Sequence, residues 1–455
     1  MLPKFLSRTL QAVALLASLA SFAARAEAPQ SSDTAPVRLT LDGALTRFRA
    51  RSYDLLLADA AVASARGDEI IATALPNPQL QTSYAHIYNY NPSPMGFQQQ
   101  ILGTCVTCAV DGTLFQISDS NAIENTLSGK RTLRKRVAEL ALETARMSRL
   151  DAQRNLEFTL KQAYFALLAA QRSLAFAREV QAFSKQMLEI TKLRYPSVIN
   201  EGQLARVATD KLGADAAVLV AEGAERQAQA ALAFLLGERA ETKTFQGDES
   251  SLSSHMPPRA VSPDPAELLR LAESTRPDLK AVRASAERAK TSVALSERMR
   301  IPDMALSVQW YAIGRAQNAV QPPQLTIGLT MNLPVFYQQQ GDILKAEADQ
   351  RTQLVATDKL RAQIAADIRN AVAVFVTARR QTELMETGGL LDNARRARDV
   401  MRLQYEAGSL QLTDFLDAER TFIGTNTQYM QGLSALRTAL AQLEQAIGAD
   451  LRSGE

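Results

Sequence analysis

Hydrophobic and polar positions along the chain follow two periods in turn. From Gln324 to Phe336, Leu325, Ile327, Leu329, Met331 and Leu333 fall on one side of an extended strand, and Gln324, Thr326, Gly328, Thr330 and Asn332 on the other. Pro334, which cannot donate a ladder hydrogen bond, ends the strand predicted over 324–333. The period then becomes helical, and the Pro-free stretch from about Gly341 to Tyr405 predicts one long helix in which Leu360, Ile364, Ile368, Val372 and Phe375 share a face.

The same order recurs. Residues 266–300 read as helix and 303–313 as a strand with Met304, Leu306, Val308, Trp310 and Ala312 on one face; a return helix runs from Leu412 to Ile447 and closes at Gly448. In the N-terminal half, a helix over 39–74 stops at Pro76 and Pro78. A strand over 79–90 follows, then an exposed loop over 91–112 and a less regular strand over 113–123. A helix over about 129–195, with no proline or interior glycine, would reach about 100 Å, and a return helix over 204–236 closes at Gly237. Asp54, Leu55 and Pro78 recur 224 positions later as Asp278, Leu279 and Pro302, Tyr195 recurs 210 later as Tyr405, and Gly237 recurs 211 later as Gly448. These offsets indicate a duplication: a first repeat over 38–237, a linker or equatorial segment rich in Ser, Pro and charge over 238–265, a second repeat over 266–448 and a tail over 449–455. The fold class expected is mostly α with a membrane β part.

Four amphipathic strands of about ten residues suit tilted crossings of an outer membrane. No segment beyond the N-terminus has eighteen or more consecutive apolar residues, so strands are the remaining means of spanning lipid. Four strands cannot close a wide barrel, and the open edges demand further copies of the chain. The N-terminus supports export: Lys4 and Arg8 precede an apolar run from Leu10 to Phe22 that ends in Ala24-Arg25-Ala26, a signal peptide over 1–26 cut after Ala26. No cysteine follows to carry a lipid anchor, and 27–37 is a polar, disordered leader.

Composition adds mostly exclusions. With 51 basic and 48 acidic residues and a net charge of +3, no basic face is concentrated enough for nucleic acid. Two histidines, His86 and His255, leave little for catalysis or a His-rich metal site, so no enzyme and no cofactor is expected. His86 sits among strand tyrosines, which favours a membrane-interface role over metal ligation, and Gly129-Lys130 lacks the upstream glycine of a phosphate loop. Cys105 and Cys108 form a CxxC in the outer loop; a local disulfide, a metal-capturing thiol pair and a redox pair are its three readings.

LPNPQL (75–80), SGKR (128–131), TRPDLKA (275–281) and NLPVF (332–336) together resemble the TolC-like outer-membrane efflux protein family over nearly all of the mature chain. LPNPQL with a GKR helix start is most similar to the CzcC-like cation efflux branch, although SGKR replaces a paired glycine. The resemblance implies a homotrimer whose strands, four per protomer, form a twelve-stranded barrel in outer-membrane lipid, continued by a long helical barrel in the periplasm. A periplasmic adaptor and an inner-membrane pump would deliver the cargo. The five apolar residues Leu325 to Leu333 then face lipid. Tyr405-x-x-Gly408 followed by Asp414-x-Leu416-Asp417 resembles the family's tunnel-tip pattern, in which acidic residues ring the periplasmic constriction. Solvated helix-start carboxylates are the other reading of Asp414 and Asp417. The matching turn of the first half, Tyr195 to Gly202, lacks that pattern, and both tips, marked by Tyr195, Gly202, Tyr405 and Gly408, are candidate adaptor-docking surfaces. The implied function is a passive exit duct for metal cations; a duct for drugs or a secreted polypeptide, and a periplasmic helical adaptor or scaffold, are the alternatives.

Overall fold

The computed structural model describes residues 37–90, 108–195, 197, 199–238, 244–255, 264–313 and 323–451. A short strand β1 (Val37–Leu39) leads into helices α1 (Leu41–Arg51) and α2 (Tyr53–Thr73), then strands β2 (Gln79–Tyr90) and β3 (Cys108–Ser118). A one-and-a-half-turn helix α3 (Ala122–Leu127), the long helix α4 (Lys130–Arg194) and its return α5 (Glu201–Leu235) complete the first repeat. After β4 (Phe245–Gly247), the second repeat runs α6 (Pro265–Thr275), α7 (Pro277–Arg298), β5 (Met304–Ile313), β6 (Gln324–Met331), α8 (Gln340–Thr387), α9 (Leu390–Glu406) and α10 (Leu412–Ile447). Among the described residues no helix is long and apolar enough to cross a membrane.

Several expected elements differ from the sequence reading. The second strand lies earlier, at Cys108–Ser118, because Asp119 turns its carboxylate onto the backbone N–H groups of Asn121 and Ile123 and ends the ladder. The helix expected over 39–74 breaks at Ser52, and that over 266–300 breaks at Arg276, where Pro277 forces an extended residue before it. The two breaks, 52 and 276, stand 224 apart, the same offset as the sequence repeat. The helix expected over 341–405 is interrupted at Gly388-Gly389, with Gly389 at φ 64°. Its counterpart α4 runs 65 residues unbroken.

Three apolar clusters hold the helices together. At mid-length, Phe48, Tyr164, Leu168, Leu232 and Phe245 are buried together. The segment expected as a surface linker therefore docks in its middle: Phe245 is fully buried, and β4 pairs in parallel with β1 through Val37–Phe245 and Leu39–Gly247. Amide side chains close the ladder, Gln229 bonding both Phe245 N and O at 2.9 and 2.6 Å and Gln171 bonding Phe245 O at 2.7 Å. In the second repeat, Ile364, Ile368 and Phe375 pack on Leu279, Leu443 and Ile447. Here Arg276 is buried, donating to Asp278 at 2.5 Å and to Ala446 O at 2.9 Å, while Thr275 donates to Ile447 O at 2.8 Å. Gly237 and Gly448, both left-handed, end the return helices against Arg51 and Arg276, so the repeats share this joint as well.

Candidate functional site: a two-faced sheet and a helical tip

Strands β2, β3, β5 and β6 form one antiparallel sheet in the order β2-β3-β5-β6. Its register sorts the side chains by chemistry. Leu80, Ile117, Val308 and Ile327 stand abreast on one face, with Thr82, Phe115, Trp310 and Leu325 in the next row. Gln81, Gln116, Gln309 and Thr326 stand abreast on the other. On the two central strands the apolar residues Phe115, Ile117, Val308 and Trp310 are exposed, whereas Gln116, Ser307, Gln309 and Tyr311 are half-buried. On the central strands the apolar face is therefore the more exposed of the two. Leu325, Ile327 and Leu329 are 69%, 71% and 65% exposed, a cost in water that a lipid contact would remove. Among the described residues, β2 and β6 are edges without partners. Near the outer end of β2 and β3, Asp111 Oδ1 accepts from Tyr84 at 2.6 Å and lies 2.6 Å from His86 Nδ1, and the His86 ring meets Tyr88 at 4.3 Å. The Cys105 side of the CxxC, and the side chain of Cys108, lie outside the described residues.

Between sheet and helices, the GKR stretch is a joint. Gly129 takes φ 77° to start α4, and Lys130 becomes fully buried. Its Nζ donates to Ile301 O and Asp303 Oδ1, both at 2.7 Å, and lies 3.0 Å from Glu124 Oε1. Arg131 clamps Thr73 O at 2.7 and 3.1 Å. These contacts pin the first and second strand pairs to one helix start. The motif is visible in the sequence without its partners, and the only local signal for one of them is Glu124, six residues before the lysine.

At the far end, the two hairpins share a core of Met187, Val207, Tyr405, Leu412, Phe415 and Leu416. Asp414 and Asp417 lie exposed in the first turns of α10, and Arg420 reaches from the next turn to Asp210 at 2.9 Å and toward Asp417 at 3.9 Å. The candidate docking positions separate. Tyr195 is half exposed and Gly202 lies in the first turn of α5 behind an Asn200–Gln203 capping box. Gly408 is exposed at φ 77°. Tyr405 is not a surface position: its ring is stacked on Phe415 at 5.6 Å and is 4% exposed, because Arg194 of the first hairpin lies over it and donates to Tyr405 O and Glu406 O at 3.1 and 2.8 Å. Above the tip, Tyr429 donates to Glu386 at 2.8 Å beside the glycine pair, and burial together with that bond pushes its hydroxyl up to about 12. Among the described residues no group of three His, Cys, Asp or Glu is placed to hold a metal.

Known proteins match this architecture. Residues 268–449 match the family model described as outer membrane efflux protein. The chain is 22% identical over 421 residues, 90% of each protein, to the cobalt-zinc-cadmium resistance protein CzcC of Cupriavidus metallidurans. The solved structure of CusC superposes with a TM-score of 0.72 at 17% identity, covering 90% of this chain and 92% of that one. The open-state outer membrane channel MtrE of Neisseria gonorrhoeae gives 0.70 at 17% identity, covering 91% and 90%. The members and fold neighbours are outer-membrane channels rather than enzymes. The second half of the chain, residues 268–449, thus matches the outer membrane efflux protein family, and the fold over nine-tenths of the chain is that of its channels.

Proposed function

We propose that this efflux channel is the exit duct of a tripartite system, a homotrimer that exports metal cations handed over by a periplasmic adaptor and an inner-membrane pump. The observation that carries the duct is the sheet. A four-stranded element with one apolar face, one amide-lined face and two edge strands unpaired among the described residues is incomplete as a monomer. Joining edge to edge with two further copies satisfies the backbone in lipid and leaves the amides around a lumen. The helical hairpins then extend the duct into the periplasm, and their tips, with Tyr195, Gly202 and Gly408, form the adaptor-docking end. Three copies of Asp414 and Asp417 would make a cation-attracting ring at the constriction. The cation cargo is supported by the likeness to the cobalt-zinc-cadmium resistance protein.

The test is deletion in the native host followed by challenge with cobalt, zinc and cadmium salts and with a panel of organic drugs. Loss of resistance to the metals, restored by the gene in trans, is expected. Sensitivity to drugs alone would replace the cargo and leave the duct in place. Recovery of the protein only in soluble periplasm would overturn the duct.

A further inference from the structure

The tip contains a carboxyl group that a passive duct does not require. Glu419 of α10 is 7% exposed, and its Oε2 has no hydrogen-bond partner. It lines a cavity of about 250 Å³ between α4, α5 and α10, walled by Phe183, Met187, Val207 and Phe415. Asp210, on the α5 wall, also turns a buried and unpartnered Oδ2 toward this space, its other oxygen being held by Arg420. Arg398 and Arg402, the cations whose charge bears on Glu419, make their hydrogen bonds elsewhere. Arg398 of α9 bonds Asp399 at 2.7 Å and lies over Phe422 at 4.2 Å; Arg402 bonds Glu406 at 2.9 Å and lies over Phe183 at 5.3 Å. Asp399 on α9 and Glu179 on α4 add negative charge.

We propose that the Glu419 carboxyl is a proton-binding site that couples periplasmic pH to the packing of the second hairpin against the first. In the packed arrangement a neutral carboxyl sits against a mostly apolar cavity at little cost, whereas a carboxylate there is a largely buried charge whose Oε2 has no hydrogen bond. Burial accordingly pushes Glu419 above the ordinary carboxyl value, against the pull of Arg398 and Arg402. The packed tip holds the proton more tightly than a loosened one. Its advantage is complete below the ordinary Glu value and is lost as pH rises through the raised one. An ionised Glu419 is relieved by hydration, which parts the cavity walls of α4, α5 and α10, or by pairing with Arg402, which requires α9 to move relative to α10. Gly388-Gly389 lies at the start of α9 and is where such a movement would be absorbed.

This inference rests on the tip being the periplasmic end of the duct, and the experiment separates the two. Purified full-length protein is measured in planar bilayers, and its tip segments 183–195 and 401–416 by amide exchange in detergent, between about pH 5 and about pH 8. Wild type, Glu419→Gln and the exposed-site control Glu189→Gln are compared. Conductance and tip exchange of the wild type and of Glu189→Gln should rise with pH, about tenfold for each pH unit by which packing displaces the titration. Glu419→Gln should stay at the low-pH level throughout. A wild type flat across the range, or a Glu419→Gln protein that follows it, would overturn the proposal. A chain that forms no channel at any pH would instead overturn the duct, and amide exchange would still decide the role of Glu419.

Discussion

Replacing Lys130 by methionine tests whether the joint between sheet and helices is electrostatic. The lysine is fully buried, Glu124 is 4% exposed, and the oxygens of Glu124 have no hydrogen bond, so the Nζ at 3.0 Å is the charge that offsets it. Removing one member of such a buried pair costs about 3–5 kcal/mol, because the remaining charge stays desolvated. The Asp303 bond adds little, since that carboxylate is 45% exposed and water can replace the lysine there. Lys130→Met should therefore destabilise by about 4 kcal/mol. Lys130→Met combined with Glu124→Leu should recover most of the loss, since an apolar pair fills the same volume without a stranded charge. Denaturant unfolding in detergent, followed by the fluorescence of Trp310, the only tryptophan, on the strand that begins next to Asp303, reads both variants as shifts of midpoint. A Lys130→Met midpoint within about 1 kcal/mol of wild type, with an unchanged slope, would refute the reasoning.

Other perturbations address the remaining joints and faces. Leu329→Arg should destabilise the inserted protein by about 2–4 kcal/mol and Thr330→Arg by much less, measured by folding into lipid vesicles; equal effects would contradict the two-faced sheet. Burial raises Asp278, but the hydrogen bond and charge of Arg276 and the charge of Arg154 outweigh it and hold Asp278 below the ordinary carboxylate value. Its stabilisation is thus full above the ordinary Asp value and lost as pH falls through the lower one, and Arg276→Met should remove most of that acid-sensitive component in pH-dependent melting, Arg154 retaining the rest. Gly389→Ala should cost about 1–2 kcal/mol because its φ is 64°, readable as a lower melting temperature. Channels carrying Asp414→Ala with Asp417→Ala should lose block by multivalent cations; unchanged conductance and block would remove the constriction role.

Much of this architecture was legible because two periods are hard to counterfeit. The alternation at Leu325 to Met331 requires a sheet with one apolar face, and the repeat offset of 224 reappears in space as the paired breaks at Ser52 and Arg276. What stayed hidden was long-range or too brief to disturb a period. The docking of Phe245 depends on β1, over 200 residues upstream, and three residues of strand leave no pattern. Gly388-Gly389 interrupts a run of helix formers whose apolar stripe resumes at once, so composition favoured continuity by more than two glycines at about 1 kcal/mol each could oppose. Glu419 carried no signal at all, since an acidic residue near a helix start normally faces water.

The duplication also explains how two tips with matching landmarks come to differ. Tyr195 and Tyr405 occupy equivalent places, yet the first is half exposed and the second is sealed beneath Arg194. The first hairpin supplies the clamp and the second is what it clamps: the guanidinium donates to two carbonyls at the end of α9, one of which, Tyr405 O, also accepts from Gly408 N–H at 3.0 Å. A 65-residue helix without a break has no point at which to yield, whereas α9 is a 17-residue rod attached through paired glycines. Any rearrangement of the tip should therefore be taken up by α9 and the start of α10, and Arg194→Ala should raise amide exchange in 401–416 while leaving 201–235 unchanged. Equal increases in both return helices would show that the hairpins move as one body.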